Sequence, residues 1–582
     1  MSPGPRVSSA RPAPRPNWRI PPHPDPAAVR ALRRSLKLPD ALCRLLASRG
    51  HLTPRAARSF LRPLLGTLHA PSGLLDAPKA ARRLARAVSD REQVVVHGDF
   101  DADGIAAAAL LASWIRALGG RADAIVPDRL RHGYDLSDAG VDRAAALGAA
   151  VLVTVDCGIV AHGPVQRAVR AGMDVIVTDH HRPGSTLPPA FAVVNPNRPG
   201  CAYPNKDLCG AAVAFKVGQL VAEELGRPAD ESWEYLDLVA LATIADQMTL
   251  TGENRVLARY GLRAFTHSAR PGLVALMDRA GVGADRPVDS AAVAFSLGPR
   301  INAAGRVGDA SDALRLLMAG EATETRRLAE TLEGDNRRRR ELEQRTTEQA
   351  LEALERSYDP ERDSAVVVSG EGWHHGVIGI VASRLVERIY RPVVVLSFDG
   401  DRGRGSARSV PSFDLHAAIS SCSQHLIRFG GHHQAAGMEI DRERLPAFRE
   451  AFQAVARSAM GDAAPRPEIR ADLEIGLGEA GPDLFRYLRY VGPFGQGNPD
   501  PVFVARGVGL AAPPKVLKGG HVKLRLAQDG ASLPAIGFRL AERAPVDELG
   551  RGPVDVAFSL IESSFRGHTT IEAKVVDIRQ AH

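Results

Sequence analysis

The apolar positions of this chain fall into successive textures, each with its own period. Across residues 93–195, short runs rich in Val and Ile alternate with helical segments: Val94-Val95-Val96, then Ala150-Val151-Leu152-Val153-Thr154-Val155, then Asp174-Val175-Ile176-Val177-Thr178. This is the βαβ pattern, and it predicts a parallel sheet buried on both faces. Residues 209–318 read mostly as helices, including 211–225 and 235–245, and residues 27–67 read as a small helical cap on this first large domain. In residues 321–357, Leu and Ala recur every three or four positions among Glu and Arg. That spacing predicts a long solvent-exposed helix bridging two domains, with Arg337-Arg338-Arg339-Arg340 on its solvated face.

A second α/β unit starts at Ser364-Ala365-Val366-Val367-Val368 and continues through a helix at 376–390 and a strand at 392–398. From residue 467 the texture becomes short alternating runs with Gly-rich turns, as in Pro501-Val502-Phe503-Val504 and His521-Val522-Lys523-Leu524-Arg525. This predicts an all-β unit ending at Val576, consistent with a small barrel. No internal repeat is present. The expected fold class is multi-domain α/β: a parallel-sheet domain joined by a long helix to a smaller α/β domain, followed by an all-β barrel. The expected boundaries are a disordered tail at 1–26, the first domain with its helical cap at 27–320, the connecting helix at 321–358, the second domain at 359–465 and the barrel at 466–582.

What ends the strands changes the picture. The first run leads into His97-Gly98-Asp99-Phe100-Asp101-Ala102-Asp103-Gly104, the second into Asp156-Cys157-Gly158, the third into Asp179-His180-His181, and the helix 235–245 into Asp246. Three Asp as close as Asp99, Asp101 and Asp103 repel one another unless something cationic lies among them. A capped helix start or a Ca²⁺-type loop would explain the first cluster alone. Four element ends carrying Asp or His instead point to one convergent metal site, the usual product of strands that deliver ligands from their C-terminal ends.

Composition adds limits. At 582 residues the chain exceeds one core, and 45% hydrophobic with 24% charged residues is ordinary for globular domains. The net charge of +7 is modest, but the basic residues are mostly Arg, which suits bidentate phosphate contacts. Five scattered cysteines without a Cys-x-x-Cys pair argue against a disulfide framework and a zinc site, and for a reducing cytoplasm. The Pro-, Ser- and Arg-rich residues 1–26 lack the apolar core of a signal peptide, and no run of about 18 apolar residues offers a membrane span.

The spacing His97-x-x-x-Asp101-x-Asp103, the lone Asp156, the triplet Asp179-His180-His181 and the late Asp246 resemble the four motifs of the DHH phosphoesterase superfamily. Gly403-Arg404-Gly405-Ser406-Ala407-Arg408-Ser409 and Phe429-Gly430-Gly431-His432-His433-Gln434-Ala435-Ala436-Gly437 resemble its DHHA1 domain. Gly492-Pro493-Phe494-Gly495-Gln496-Gly497-Asn498-Pro499 resembles the OB-type domain of its exonuclease branch. The resemblance runs from about Leu38 to the C-terminus, with the motifs in the family's order.

That resemblance implies a single-stranded-DNA-specific 5′→3′ exonuclease of DNA recombination and repair, releasing nucleoside 5′-monophosphates by two-metal phosphodiester hydrolysis. It implies two Mn²⁺ ions, with Mg²⁺ also supporting turnover: His97, Asp101 and Asp156 hold one, Asp103, Asp156, His180 and Asp246 the other, and Asp156 bridges. Mixed imidazole and carboxylate ligands suit Mn²⁺ better than Mg²⁺. His181 faces the scissile phosphate, Asp179 orients a ligand, and Asp99 is structural. Arg129, Arg306, Ser406 and Arg408 are expected to receive a 5′-phosphate, and His432 to touch a phosphate near the metals. On the barrel, Lys515, Lys518, Lys523 and Arg525, with Phe494, are candidates to grip single-stranded DNA by charge and stacking. The implied partners are single-stranded DNA, with a single-strand-binding protein and a helicase, for a cytoplasmic monomer that needs no membrane.

Two positions depart from the family pattern, Asp128 in place of Asn and Gln247 in place of an apolar residue. The rival readings are a phosphodiesterase for short oligonucleotides or cyclic dinucleotides, whose relatives usually lack the barrel, and a non-catalytic DNA-binding scaffold, which predicts lost ligands.

Overall fold

A computed structural model describes residues 14–129, 133, 135–283, 287–461, 465–565 and 568–581. The chain divides into two compact units, one made of Arg58–Arg338 with Arg489–Asp500, the other of the chain up to Ala57, Arg339–Leu488 and Pro501–His582.

The first unit is built on a five-stranded sheet in the order Arg121–Ile125, Gln93–Gly98, Val151–Val155, Asp174–Thr178, Ala192–Val194. All neighbouring strands run parallel. The continuous apolar runs follow from burial on both faces. Val94, Val96, Val151 and Val153 pack with the helices Ala102–Ala117 and Gly210–Glu224, while Val95, Leu152 and Val175 pack with Val141, Ala144 and Val165 on the opposite side. Each fully buried Val adds roughly 1.5 kcal/mol or more through the area it removes from water. The first strand in sequence is flanked by the second and third, so the connections diverge to either side at the C-terminal ends of Gln93–Gly98 and Val151–Val155. A crevice at such a switch point is where open α/β sheets bind ligands.

The second unit holds two large sheets of different character. Val366–Glu371 and Val393–Asp399 run parallel, and Arg402–Arg408, Ala435–Asp441 and Arg428–Gly431 follow antiparallel. The strands Phe503–Leu510, Val554–Phe565, His568–Gln580, Ala531–Gly537 and Val522–Gln528 then close through the pairing of the first with the last, giving a five-stranded barrel. The expected α/β class with an OB-like barrel is thus present.

Three placements correct the sequence reading. Part of the expected disordered tail is a strand: Asn17–Arg19 pairs in parallel with Glu468–Arg470, and Trp18 Nε1 donates to Asp577 at 2.7 Å beneath the Arg579 guanidinium. A Pro-rich composition concealed one anchoring Trp. The expected cap on the first domain is also reassigned. The helices Pro26–Leu36 and Asp40–Ser48 belong to the barrel's unit, where Arg49 makes a two-pronged contact with Asp472 at 2.7 and 3.1 Å and Ser48 donates to the Asp472 carbonyl. Periodicity shows that a helix has a buried face, not what covers it. The third case is the loop Arg489–Asp500, expected in the barrel and found in the first unit.

The long helix spans Ala322–Ser357 as expected, but it is less solvated than its composition suggests. Leu328, Ala329 and Leu332 enter the core of the first unit, and Ala350 and Leu354 that of the second. Among the described residues no helix is long and apolar enough to cross a membrane.

Candidate metal centre

The switch point gathers the acids. Asp101 caps the helix Ala102–Ala117, its carboxylate accepting from Asp103 N–H at 3.0 Å and Gly104 N–H at 3.2 Å, while Asn302 accepts from Ala102 N–H at 2.7 Å and seals that helix start. Asp103 is the second residue of that helix and is buried. Its two oxygens accept from Gly210 and Ala211 N–H, both at 2.7 Å, at the N-terminus of Gly210–Glu224. A helix start offers such unpaired donors and a favourable dipole. Asp156 follows its strand in the left-handed conformation, φ 62°. Only glycine fits at position 210 opposite, because a Cβ there would stand 2.4 Å from the Asp156 Cβ.

The strand Asp174–Thr178 leads into Asp179, fully buried, whose carboxylate accepts from His180 N–H at 2.7 Å, His181 N–H at 3.0 Å and Ile159 N–H at 3.0 Å. It also pairs with His181 Nδ1 at 2.8 Å. Asp179 therefore orients His181, and Asp135 braces the neighbouring loop by accepting from Gly158 N–H at 2.6 Å. Nothing in the sequence marked Asp135 or Asn302 for these supporting roles.

Around this frame His180 Nε2 stands 3.0 Å from Asp156 Oδ1 and 3.8 Å from both Asp103 and Asp246. Among the described residues, three sets of potential ligand atoms each lie within 4.8 Å of one another: Asp103, His180 and Asp246; Asp156, His180 and His181; and Asp99, Asp101 and Asp156. Asp103, Asp156, His180 and Asp246 are thus brought together as expected, and Asp101 joins Asp156. His97 enters none of the three sets. Its Nδ1 lies 3.7 Å from Cys157 Sγ, and a Cβ on Gly140 would stand 2.8 Å from its Nε2. In the last of these sets Asp99 stands with Asp101 and Asp156, beside which the resemblance had placed His97.

The electrostatics are those of an incomplete site. Burial, then the neighbouring Asp101, raises Asp103 to about 7. Burial, then Asp103 and Asp101, raises Asp246 to about 8. Asp156 and Asp99 are pushed well above the carboxylate range, first by burial and then by their acidic neighbours. Burial, then His181, lowers His180 to about 4, so its Nε2 presents a lone pair toward Asp156. Burial works against the charge on His181, but the bond to Asp179 outweighs it and raises the ring to about 9. Among the described residues, Asp99 Oδ1, Asp156 Oδ1 and His180 Nε2 are buried without a hydrogen-bond partner. Buried polar atoms are rarely left so, and electron-rich atoms converging within 3.0–3.8 Å fit divalent cations.

The phosphate-binding candidates divide between the units. Arg129 is half-buried over the Phe100 ring at 4.8 Å, with burial lowering its basicity against the pull of Asp99 and Asp101. Arg306 lies on the helix Gly298–Val307, the same helix that supplies Asn302. In the other unit Arg408 Nη1 donates to Ser406 Oγ at 3.0 Å, both packed on Gly379 of the helix His375–Ile389, and His432 is exposed in the turn after Arg428–Gly431. Phe494, a candidate for stacking on DNA, lies in the loop assigned to the first unit, where its carbonyl accepts from Ser290 Oγ.

Comparison with known proteins identifies three domains, the OB match taking in the loop Arg489–Asp500. Residues 93–243 match the model of the DHH family N-terminal domain, residues 363–458 the DHHA1 domain and residues 471–577 the RecJ OB domain. The chain is 35% identical to the single-stranded-DNA-specific exonuclease RecJ of Escherichia coli over 566 residues, covering 93% of this chain and 96% of that one. It is 34% identical to the Bacillus subtilis RecJ over 528 residues, covering 90% of this chain and 66% of that longer protein. The crystal structure of Thermus thermophilus RecJ in complex with Mn²⁺ superposes with a TM-score of 0.83 at 33% identity, covering 97% of this chain and 80% of that one. Its Mg²⁺ complex gives 0.78 at 31% identity, covering 97% and 79%.

Proposed function

The chain belongs to the RecJ family, and on that membership together with the metal centre we propose that it is a divalent-metal-dependent, single-stranded-DNA-specific 5′→3′ exonuclease acting in recombination and repair. One observation carries the reading: a buried set of carboxylates and an imidazole with orphaned oxygen and nitrogen atoms at the switch point of a parallel sheet. A non-catalytic scaffold would have no reason to keep such a set.

In this reading Asp103, Asp156, His180 and Asp246 would hold one ion, and Asp101 and Asp156 would hold the second, with Asp99 the third group in reach. Mn²⁺ suits the mixed donors, and Mg²⁺ also supports turnover. Such a pair of ions supplies Lewis-acid activation of water and of the phosphodiester. The protein's own groups do the rest. Asp103, pinned by two backbone donors, fixes the floor of the site. Asp179 holds a proton on His181 Nδ1 and keeps the ring cationic, so His181 neutralises phosphate charge and assists departure of the 3′-oxygen, releasing a nucleoside 5′-monophosphate. Arg129 and Arg306 bind substrate phosphate in the unit that carries the metals. Ser406 and Arg408 receive the 5′-phosphate in the second unit, where His432 contacts another phosphate. The barrel binds single-stranded DNA through Lys515, Lys523 and Arg525. A cytoplasmic location, a monomeric state and partnership with a single-strand-binding protein and a helicase complete the proposal.

The test is digestion of 5′- and 3′-end-labelled single and double strands with Mn²⁺, with Mg²⁺ and with chelator. The expected result is metal-dependent release of 5′-mononucleotides from single strands only, and untouched single strands would refute the reading. In the same assay Arg408→Ala should reduce the preference for 5′-phosphate over 5′-hydroxyl ends several-fold; an unchanged ratio removes Arg408 from end recognition.

A further inference from the structure

Asp246 is held differently from the rest of the metal centre. Asp103 has two backbone donors and Asp101 a helix start, whereas the Asp246 carboxylate accepts no hydrogen bond among the described residues, with His180 Nε2 at 3.8 Å. It closes the helix Leu236–Ala245, and the chain turns away through Gln247 in the left-handed conformation, φ 57°. Its backbone is tied to the helix end by Asp246 N–H donating to the Ala242 carbonyl at 2.9 Å, and residues 249–251 after the turn supply a second support.

On one side Thr249 Oγ1 donates to Asp207 at 2.8 Å. The other support is the loop Arg489–Asp500, which belongs to this unit. Leu250 N–H donates to the Gln496 carbonyl at 2.7 Å. Gly497, φ 73°, lies so close that a Cβ would stand 3.2 Å from Thr249 Cβ and 3.3 Å from Thr251 Cγ2. The loop itself is firmly held. Arg255, buried over the Phe60 ring, donates through Nη2 to the carbonyls of Gly492 at 2.8 Å and Tyr490 at 3.0 Å. Buried Asn498 donates to the carbonyls of Val491 and Pro493 at 2.9 and 2.8 Å, folding the loop on itself.

We propose that this loop is a latch that positions Asp246, with Asn498 and Gly497 as positioning residues acting on the metal centre through residues 249–251. The proposal rests on the metal reading above. It links metal occupancy to a loop some 240 residues downstream of the ligand, on a segment whose family likeness gave it to the barrel.

The test is Mn²⁺ titration of the full-length metal-free protein by calorimetry, with thermal melts to confirm folding. Asn498→Ala and Gly497→Ala should each weaken Mn²⁺ binding about tenfold or more, the scale on which groups supporting a ligand act. Gly530→Ala is the matched control: it has the same left-handed strain, φ 81°, with nothing within 4 Å of its Cβ, and it should bind Mn²⁺ as the unaltered protein does. In an Asp246→Asn background Asn498→Ala should cause no further loss of affinity, because its path to the metal is already cut. If the unaltered protein binds no Mn²⁺, the metal reading falls. If it binds but Asn498→Ala and Gly497→Ala match Gly530→Ala, or if Asn498→Ala still weakens binding in the Asp246→Asn background, the latch falls.

Discussion

Two buried groups of charge in the first unit are held in opposite ways. Lys216 and Glu253 form an ion pair at 2.8 Å, each about 1% exposed, and every partner is local: Lys216 also donates to the His69 carbonyl, and Glu253 accepts from His69 N–H and Tyr203 Oη. Asp99, Asp103 and Asp156 are as deeply buried, yet among the described residues Asp99 and Asp156 each keep an oxygen without a partner; His180, 3.0 Å from Asp156, is driven neutral, and the cationic His181 beside it is engaged by Asp179. The same fold that neutralises one buried acid with a lysine leaves the other acids outnumbering the cations beside them, His181 and Arg129. Desolvated like charges are expensive, so the second cluster is stable only with protons or cations, which is what a metal centre requires of its apo state.

Substitution should separate the two clusters with opposite signs. Asp156→Asn should abolish metal-dependent digestion of single strands, the largest effect foreseen, while raising the melting temperature of the metal-free protein by relieving repulsion. Lys216→Met should leave the metal chemistry intact but destabilise the fold by about 3–5 kcal/mol, the usual consequence of stranding one partner of a buried pair. Chemical denaturation together with the nuclease assay reads both. A metal-free Asp156→Asn protein less stable than the parent would erase the distinction.

This contrast also shows what a sequence can carry. The acids were legible because each follows a Val- and Ile-rich strand or an apolar helix, so the pattern that predicts the sheet also predicts that its ends converge. The barrel and the second α/β unit were legible for the same reason, as changes of period. What failed to show were contacts set by tertiary approach alone. Trp18 anchors a segment whose composition reads as tail. Asp99 and His97 stand two residues apart, so period-2 alternation could not decide which faces Asp101 and Asp156, since the strand ends between them at Gly98. The loop Arg489–Asp500 has a barrel motif's sequence and a place in the other unit, and its carbonyl-accepting role for Arg255 leaves no mark on side-chain patterning. Gln247, a departure from the family pattern, is exposed at a helix end, where a polar residue is unexceptional.

The pH dependence of stability sharpens the comparison further. Asp103 at about 7, Asp246 at about 8 and His181 at about 9 all lie above their unfolded values, so the folded protein holds more protons than the unfolded chain. Their contribution is complete at low pH and is lost as pH rises through these values. His180, lowered to about 4, acts in the opposite sense only below its ordinary value of 6.5. Between pH 6.5 and 8.5 the metal-free protein should therefore lose stability steadily, and the stabilisation by Mn²⁺, which needs the deprotonated ligands, should grow over the same interval. Thermal melts with and without Mn²⁺ across that window test this, and parallel, flat curves would show that the cluster is not the titrating element.

The smallest expected effect concerns which group completes the acidic set. The Asp99 Oδ1 atom is buried and unsatisfied, whereas the His97 ring lies against Cys157 and Gly140. If the unneutralised cluster includes Asp99, Asp99→Asn should raise the metal-free melting temperature by a few degrees and weaken Mn²⁺ binding. His97→Ala should lower the melting temperature through the gap it leaves beside Cys157, and change Mn²⁺ affinity less than Asp99→Asn does. Calorimetric titration of both variants decides between them. A larger loss of affinity from His97→Ala would mean that the imidazole turns toward Asp101 and Asp156 when a cation arrives, and that Asp99 belongs with the satisfied kind of buried charge that Glu253 exemplifies.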